Sequence, residues 1–538
     1  MSQLGERQAS MTHRSKRAGL IGHEENHMDK SFAFKNSAGV ATGMMGLLLA
    51  LSVPFEAVAQ HMHYKVIDVG TLGGPNSSVG FEISPMNALS NHGAFTACAD
   101  TPTSNPNYPN FNPNIPLGFH ALPQPDPMIY HAFGWKNGKL SDLGALPGVN
   151  NSCATHISGN GLIAGESENG AIDPITGWPE IQAVLWKHGQ LIDLGTLGGN
   201  ESFPNSVNNR SQVVGQAANS TPDPFPFPGF GQQARAFLSE NGVMQDLGTL
   251  GGPDAFAIDI NDRGQILGFS FINSIPNPTT GFPTGDGFLW ENGKMTDIPD
   301  ALGGTVVSPF YLSNKGQVVG SANLPGDQQS GPFLWEKGVF TELATLGGVN
   351  GFAVKVNDSG QIVGDADLAG TDQFGMPLYH GVIWHNGIPT DLGTLDGDPC
   401  SGGQDINSRG QAVGWSGTCD TLNPRPFLWE DSGPMVDLNA LLSPNSGIYV
   451  FFAANIDDRG EIAGAGVLPN GDTRAVLLIP CDNAHPDLEG CNYNLADVAD
   501  VPARAIMSDV ARRNLPSGVA PRAARTRHFE YGQPVLRR

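Results

Sequence analysis

Between Tyr64 and Ile479 the apolar residues come in short runs, and Gly, Asn, Asp or Pro closes each run. Short apolar runs bounded by turn residues read as β-strands. The long Ala/Leu/Glu/Lys stretches of a helical bundle are missing. One phrase recurs every 45 to 53 residues, Asp-Leu-Gly-Thr-Leu-Gly-Gly in its fullest form at 193–199 and 246–252. Its relatives begin at Asp68, Asp142, Asp297, Glu342, Asp391 and Asp437, which makes eight copies. A second phrase follows each copy: an apolar residue, Asn, two polar residues, Gly and an apolar pair, as in Ile260-Asn261-Asp262-Arg263-Gly264-Gln265-Ile266-Leu267. A third precedes the Asp-Leu-Gly element from the second copy onward, as in His131-Ala132-Phe133-Gly134-Trp135 and Gly287-Phe288-Leu289-Trp290, with Asn-Gly or Lys-Gly as its usual ending.

Each unit therefore predicts four short strands. The Phe-Leu-Trp strand turns tightly at Asn-Gly into the Met-x-Asp-Leu strand. A third strand leads into Ile-Asn, and an Asn-Asp-x-Gly turn joins it to a fourth, Gln-Val-Val-Gly. A four-stranded unit of this size cannot bury both faces alone, so its neighbours must stack around an axis as a propeller. The expected fold class is all-β: an eight-bladed β-propeller over 60–480. The first unit lacks a Phe-Leu-Trp strand, and residues 474–479 after the last unit supply that pattern, so the C-terminal strand is expected to close the ring. Seven blades with one displaced unit is the competing architecture. The 74 residues between Asp68 and Asp142 hold a Pro- and Asn-rich insertion, read as a long loop.

These phrases resemble the HAF-repeat family of probable extracellular proteins, over roughly Tyr64 to Ile479, with the literal His-Ala-Phe at 131–133. The resemblance implies export and a repeat fold, and no defined activity. Residues 38–55 are an apolar run preceded by Lys30 and Lys35 and followed by Ala57-Val58-Ala59, the pattern of a signal peptide cleaved before Gln60. Translation starting at Met28 fits the polar stretch before it. His23-Glu24-Glu25-Asn26-His27 matches a zinc-protease motif, but it lies ahead of the signal and without a supporting domain, and it is read as coincidence. Export places the protein outside the cell or in a periplasm, with no stable membrane insertion after cleavage.

An oxidising compartment lets the six cysteines pair. The expected pairs are Cys481 with Cys491, Cys400 with Cys419, and by remainder Cys98 with Cys153. Residues 481–538 read as a tail, basic and mostly disordered, containing Arg504, Arg512, Arg513, Arg522, Arg525, Arg527, Arg537 and Arg538.

Charged residues are only 15% of the chain and the net charge is −23. The repeats offer no basic face for phosphates, so nucleic acid is excluded as a partner. A monomer is expected, and glycan or cell-surface polymer fits as partner.

Variable loops on a rigid scaffold are the usual seat of recognition. The Asn-Gly and Asn-Asp-x-Gly turns share one face. The variable loops share the other and carry the weak ligand-binding candidates Tyr108, Phe111, Tyr130, Trp178, Phe230, Phe282, Phe374 and Trp415, with Phe225 and Phe227 beside them. Flat rings there can stack on sugars or grip peptides. The repeated Trp135, Trp186, Trp290, Trp335, Trp384 and Trp429 share one register and read as core. The repeated Asp of the Asp-Leu-Gly phrase reads as an acceptor for turn amides.

The stretches starting at Asp259 and Asp405 imitate half a calcium loop, with Arg at a ligand position and Ser270 or Ser416 in place of the closing Glu. No metal and no cofactor is expected. The mature chain has no nucleophile elbow, phosphate loop or dinucleotide fingerprint. The leading reading is a secreted, non-catalytic binding propeller; the alternatives are a secreted hydrolase or lyase with its pocket at the ring centre, and a structural envelope component.

Overall fold

The hairpin turns show how the sequence dictates the blades. At Asn137-Gly138, His188-Gly189, Asn241-Gly242, Asn292-Gly293, Lys337-Gly338 and Asn386-Gly387 both residues have φ between 51° and 83°. Two successive left-handed residues make the turn whose twist matches a right-twisted strand pair. In the computed structural model, which describes residues 63–79, 87–109, 126–223, 231–278, 281–372, 375–419, 424–430, 433–483, 485 and 491, these turns join the third strand (C) of each of the first six blades to the fourth (D). The described residues all belong to the unit Ala59–Arg538. The expected signal segment, the start at Met28, the zinc-like motif at 23–27 and the basic tail beyond 491 lie outside them.

The strands form eight antiparallel four-stranded sheets, seven of them ordered A-B-C-D along the chain. Blade 3, for example, is Gly198–Val207, Val213–Pro222, Gln232–Glu240 and Val243–Asp246. The last sheet takes Tyr449–Ile456, Ile462–Val467 and Thr473–Pro480 from the C-terminal end and Tyr64–Asp68 from the N-terminal end. Val66 stands opposite Leu478 in that pairing, so an eight-bladed ring closes as the repeat count requires. The one helical element among the described residues is a single 3-10 turn, Leu438–Leu441.

The recurrent tryptophans lie between blades and are all buried. The Trp186 indole donates to the Leu143 carbonyl of the preceding blade at 2.9 Å, and that of Trp384 to the Ala344 carbonyl at 2.7 Å. The repeated Asp also has its expected work: Asp68, Asp142, Asp193, Asp246 and Asp391 each accept the N–H of the Gly two residues on, at 2.7–2.8 Å.

The Asn of the second phrase is the chief link around the ring. The Asn357 carboxamide oxygen accepts the N–H groups of Ser359 and Gln361, and its nitrogen donates to Gln361 Oε1 and to the Asn407 carbonyl of the next blade. Asn208, Asn261 and Asn407 repeat the pattern. One side chain thus closes the turn between strands A and B and ties two blades.

The three disulfides join the expected partners. Cys98–Cys153 staples blade 1 to blade 2, Cys400–Cys419 lies within blade 7, and Cys481–Cys491 closes a loop after the last strand.

Candidate functional site

Strand A of every blade faces the axis, and seven of these strands carry a β-bulge just before the Asn turn. A bulge re-aims one side chain and leaves one residue unpaired in its ladder. The residue directly after the unpaired one is His156, Ser206, Asp259, Tyr311, Lys355, Asp405 or Asn455 in blades 2–8, and Ala88 holds the matching place in blade 1. Those of blades 2–8 ring a cavity of about 310 Å³ on the axis, which Asn87 and Leu89 complete from blade 1. Its mouth opens on the face of the short A–B turns, where Asp262, Asp358 and Asp458 are exposed.

Most of these polar groups are engaged with one another. Asp259 accepts Ser206 Oγ at 2.9 Å, its neighbour's N–H from Ile260 at 2.8 Å, and the Leu312 N–H of the next blade at 3.1 Å. Asp405 accepts the N–H groups of Ile406 and Ile456 and Asn455 Nδ2, and pairs with Lys355 Nζ at 2.5 Å. The Asn455 oxygen in turn accepts the Ala88 N–H, across the ring closure. Carboxylates and amides from one blade thus satisfy N–H groups beside the bulge in the next.

Burial pushes the Asp259 carboxyl above its ordinary range, against the pull of its donors. It also pushes the Tyr311 phenol up to about 12. For Lys355 burial acts downward, but Asp405 and Tyr311 outweigh it and the ammonium is held above its usual value. The half calcium loops thus have a different use, since both of their leading carboxylates point to the axis and are spent on the inter-blade seam. Among the described residues no group of three or more His, Cys, Asp or Glu is placed to hold a metal ion.

The opposite face is shaped by the B–C hairpins. Strand B is ten or eleven residues long in Phe95–Ser104, Ile163–Ile172, Val213–Pro222, Ile266–Pro276 and Gln361–Thr371. It is only six or seven in Gln317–Asn323, Ala412–Gly417 and Ile462–Val467. Blades 1–4 and 6 thus project arms beyond the ring, and blades 5, 7 and 8 stay low. A register shift marks the root of each arm. In blades 2–4 an Asn sits at that root, and Asn169, Asn219 and Asn273 each accept the N–H two residues on.

Seven of the ten large apolar side chains exposed among the described residues lie on this face: Tyr108, Val149, Ile172, Ile175, Ile275, Val349 and Met376. Val243, Val339 and Ile388 stand singly beside C–D turns of the other face.

The eight aromatic candidates separate in the structure. Tyr108 is exposed and Trp178 half-buried. Phe282 packs against a core cluster with Phe269 and Phe271. Tyr130 and Trp415 are not surface residues. Tyr130 is buried against Cys98–Cys153, and Trp415 packs edge-on to Tyr379 beside Cys400–Cys419. Both rings serve as packing around disulfides, because a strand position next to a half-cystine faces the space between sheets. Phe111, Phe230 and Phe374, like Phe225 and Phe227, lie outside the described residues.

Sequence reasoning passed over the aliphatic arm tips and the bulged axial position. The latter has a signal, for it lies two residues before the recurrent Asn and its residue type changes from blade to blade.

No protein-family model matches the chain, and no curated protein matches it in sequence. Among solved structures it is similar to the β-propeller domain of the Trilobed protease from Pyrococcus furiosus. That likeness has 10% identity and a TM-score of 0.36, over 60% of this chain and 92% of that one. It is also similar to a prolyl endopeptidase, at 10% identity and TM-score 0.41, over 73% of this chain and 54% of that one. Dipeptidyl peptidase 4 from Porphyromonas gingivalis matches at 10% identity and TM-score 0.36, over 63% of this chain and 54% of that one. The chain thus spans about half the length of the two peptidases. Likeness at this level concerns the propeller fold alone.

Proposed function

We propose that the protein is a secreted, non-catalytic binding propeller that holds a glycan or peptide on the face of its variable loops. The observation that carries this reading is the gathering of exposed apolar side chains at the arms of that face. Three of them, Ile172, Ile175 and Ile275, belong to the arms of blades 2 and 4. Burying one such side chain under a ligand is worth about 1.5–3 kcal/mol. Aliphatic tips suit an apolar peptide better than a sugar, whose rings stack on flat aromatic faces. Export is supported by the three disulfides, which persist in oxidising compartments. No helix of the described residues is long and apolar enough to cross a membrane.

A peptide library and a glycan array probed side by side test the reading. The expected result is retention of apolar peptides, lowered about tenfold or more by Ile172→Asp with Ile275→Asp. Retention by neither library, or binding indifferent to those substitutions, overturns it. The competing hydrolase or lyase at the ring centre has less support, because Asp259 and Asp405 are already committed to backbone amides. Turnover of a polysaccharide or peptide that is lost in Asp259→Asn would reverse that ranking.

A further inference from the structure

The blades act as controls for one another at the rung where strands B and C leave the A–B and C–D turns. In blades 3 and 7 that rung sets Gln212 opposite Glu240 and Gln411 opposite Glu430. The Gln amide donates to the Glu carboxylate there, at 3.0 and 2.6 Å. Blades 4 and 5 carry the same two residue types at this rung. Blades 1 and 2 break the rule in both halves. Ala94 stands opposite Lys136, and Leu162 opposite Lys187.

The change opens the surface. Ala94 lacks the reach of Gln, and it lines a cleft of about 490 Å³ at the A–B turns of blades 1 and 2. His92, Lys136, Asn160 and Asn209 line it too, with bare backbone at Gly159 and Gly161. In blades 1, 4, 5 and 8 the glycine of the A–B turn lies under an arginine of the preceding blade, as Gly264 does under Arg210. Gly161 has no such cover, for no atom lies within 4 Å of the place where its side chain would begin.

The charge changes as well. No carboxylate lines the cleft, although Asn91 and Asn209 beside it are tied to Asp458 and Asp262. The hairpins at 136–139 and 187–190 add Lys139 and Lys187, and neither they nor the turns at 90–94 and 158–162 contain an acid. Among the described residues none of the three lysines has an ion-pair partner. A chain of net charge −23 thus keeps one cationic sector. At physiological salt the Debye length is about 8 Å, so the acids of the opposite face are screened from it.

We infer that this cleft is a second binding site, one that takes an acidic sugar unit with its carboxylate at Lys136. Its volume exceeds what a single oxyanion fills, so it suits an anion carried on a ring. Asn160 spends one amide hydrogen on the Asn209 carbonyl, and Asn209 spends one on Asp262. Each carboxamide has a second hydrogen for a sugar hydroxyl. The site lies on the face away from the apolar arms and stands whether or not those arms hold a peptide.

Calorimetry of the oxidised full-length chain with an oligogalacturonate tests the site. Binding is expected to weaken as salt is added, and to fall about tenfold or more when the sugar carboxylates are methyl-esterified. Lys136→Glu, an exposed change, should cost about tenfold or more in affinity. Ala94→Gln alone fills the cleft, keeps every lysine and should weaken binding too. Ala94→Gln with Lys136→Glu rebuilds the pair of blades 3 and 7, and should abolish binding while the melting temperature holds. The proposal is overturned by no binding of the oligogalacturonate, by equal affinity for its methyl ester, or by polyaspartate binding as tightly. Undiminished binding in Ala94→Gln or in the double variant overturns it as well.

Discussion

One position in the A–B turn is left-handed around the ring. Gly93, Gly161, Gly264, Gly316, Gly360, Gly410 and Gly460 occupy it with φ from 67° to 84°, and in blade 3 Ser211 does so with φ of 63°. A side chain in that conformation costs about 1–2 kcal/mol. Gly264, Gly316, Gly460 and Gly93 also lie under the guanidinium of the preceding blade's turn, from Arg210, Arg263, Arg409 and Arg459. The two facts separate two substitutions. Ser211→Gly relieves the left-handed strain and returns about 0.4–1 kcal/mol of it as unfolded-chain entropy, so a net gain of about 0.5 kcal/mol is expected. Gly264→Ala acquires the strain and displaces the Arg210 head group, so a loss of about 1–2 kcal/mol is expected. Urea midpoints at constant m-value measure both, and a stabilising Gly264→Ala would show that the turn tolerates side chains freely.

At the scale of the element, each A–B turn is also a joint. In Asn357→Asp the two backbone acceptor bonds to Ser359 and Gln361 survive, while both amide donations, to Gln361 and to the Asn407 carbonyl, are lost. Asn357→Ala loses all four. The expected order is a loss of about 1–3 kcal/mol for Ala and a smaller loss for Asp at neutral pH, read as shifts in urea midpoint. Equal losses would mean that the inter-blade donation does little.

The turn was readable because Asn-x-x-Gly-Gln repeats and Gly marks the left-handed residue. The C–D hairpins were readable for the same reason, from Asn137-Gly138 onward. The axial site was not. A bulge inserts one residue into a strand of ordinary composition, so Lys355 reads as an outward residue until the ladder shows it turned inward. The arms escaped notice too, because Ile172 and Ile275 in a strand pattern look like core, and only the length of the paired strand places them beyond it. Tyr130 and Trp415 mislead in the opposite sense: aromatic residues beside loops read as surface, whereas both rings pack on a neighbouring disulfide.

Taken whole, the propeller buries several carboxyl groups, and they shape its response to pH. Burial is the main cause in each: it pushes Asp100 and Asp286 up to about 7, Asp254 to about 8 and Glu201 to about 9. Neighbouring acids add to the effect, Asp126 beside Asp100 and Asp297 beside Asp286. Asp254 and Glu201 accept the N–H groups of Ala234 and Ile181 in the adjoining blade, so these sites lie in the seams between blades. All four bind protons more tightly folded than unfolded, and the slope of stability against pH is negative wherever the folded state holds the extra proton. Their stabilisation is whole below the ordinary carboxyl range, near pH 4, and drains away as pH rises through about 7 to 9. The melting temperature of the oxidised protein should therefore fall from pH 5 to pH 9. Glu201→Gln with Asp254→Asn keeps both acceptors for the backbone while removing two of the titrations. That variant should lose less on the alkaline side than wild type does, and a melting curve as steep with pH as that of wild type would place the alkaline loss in charge repulsion across the molecule, at net charge −23, instead of in the blade seams.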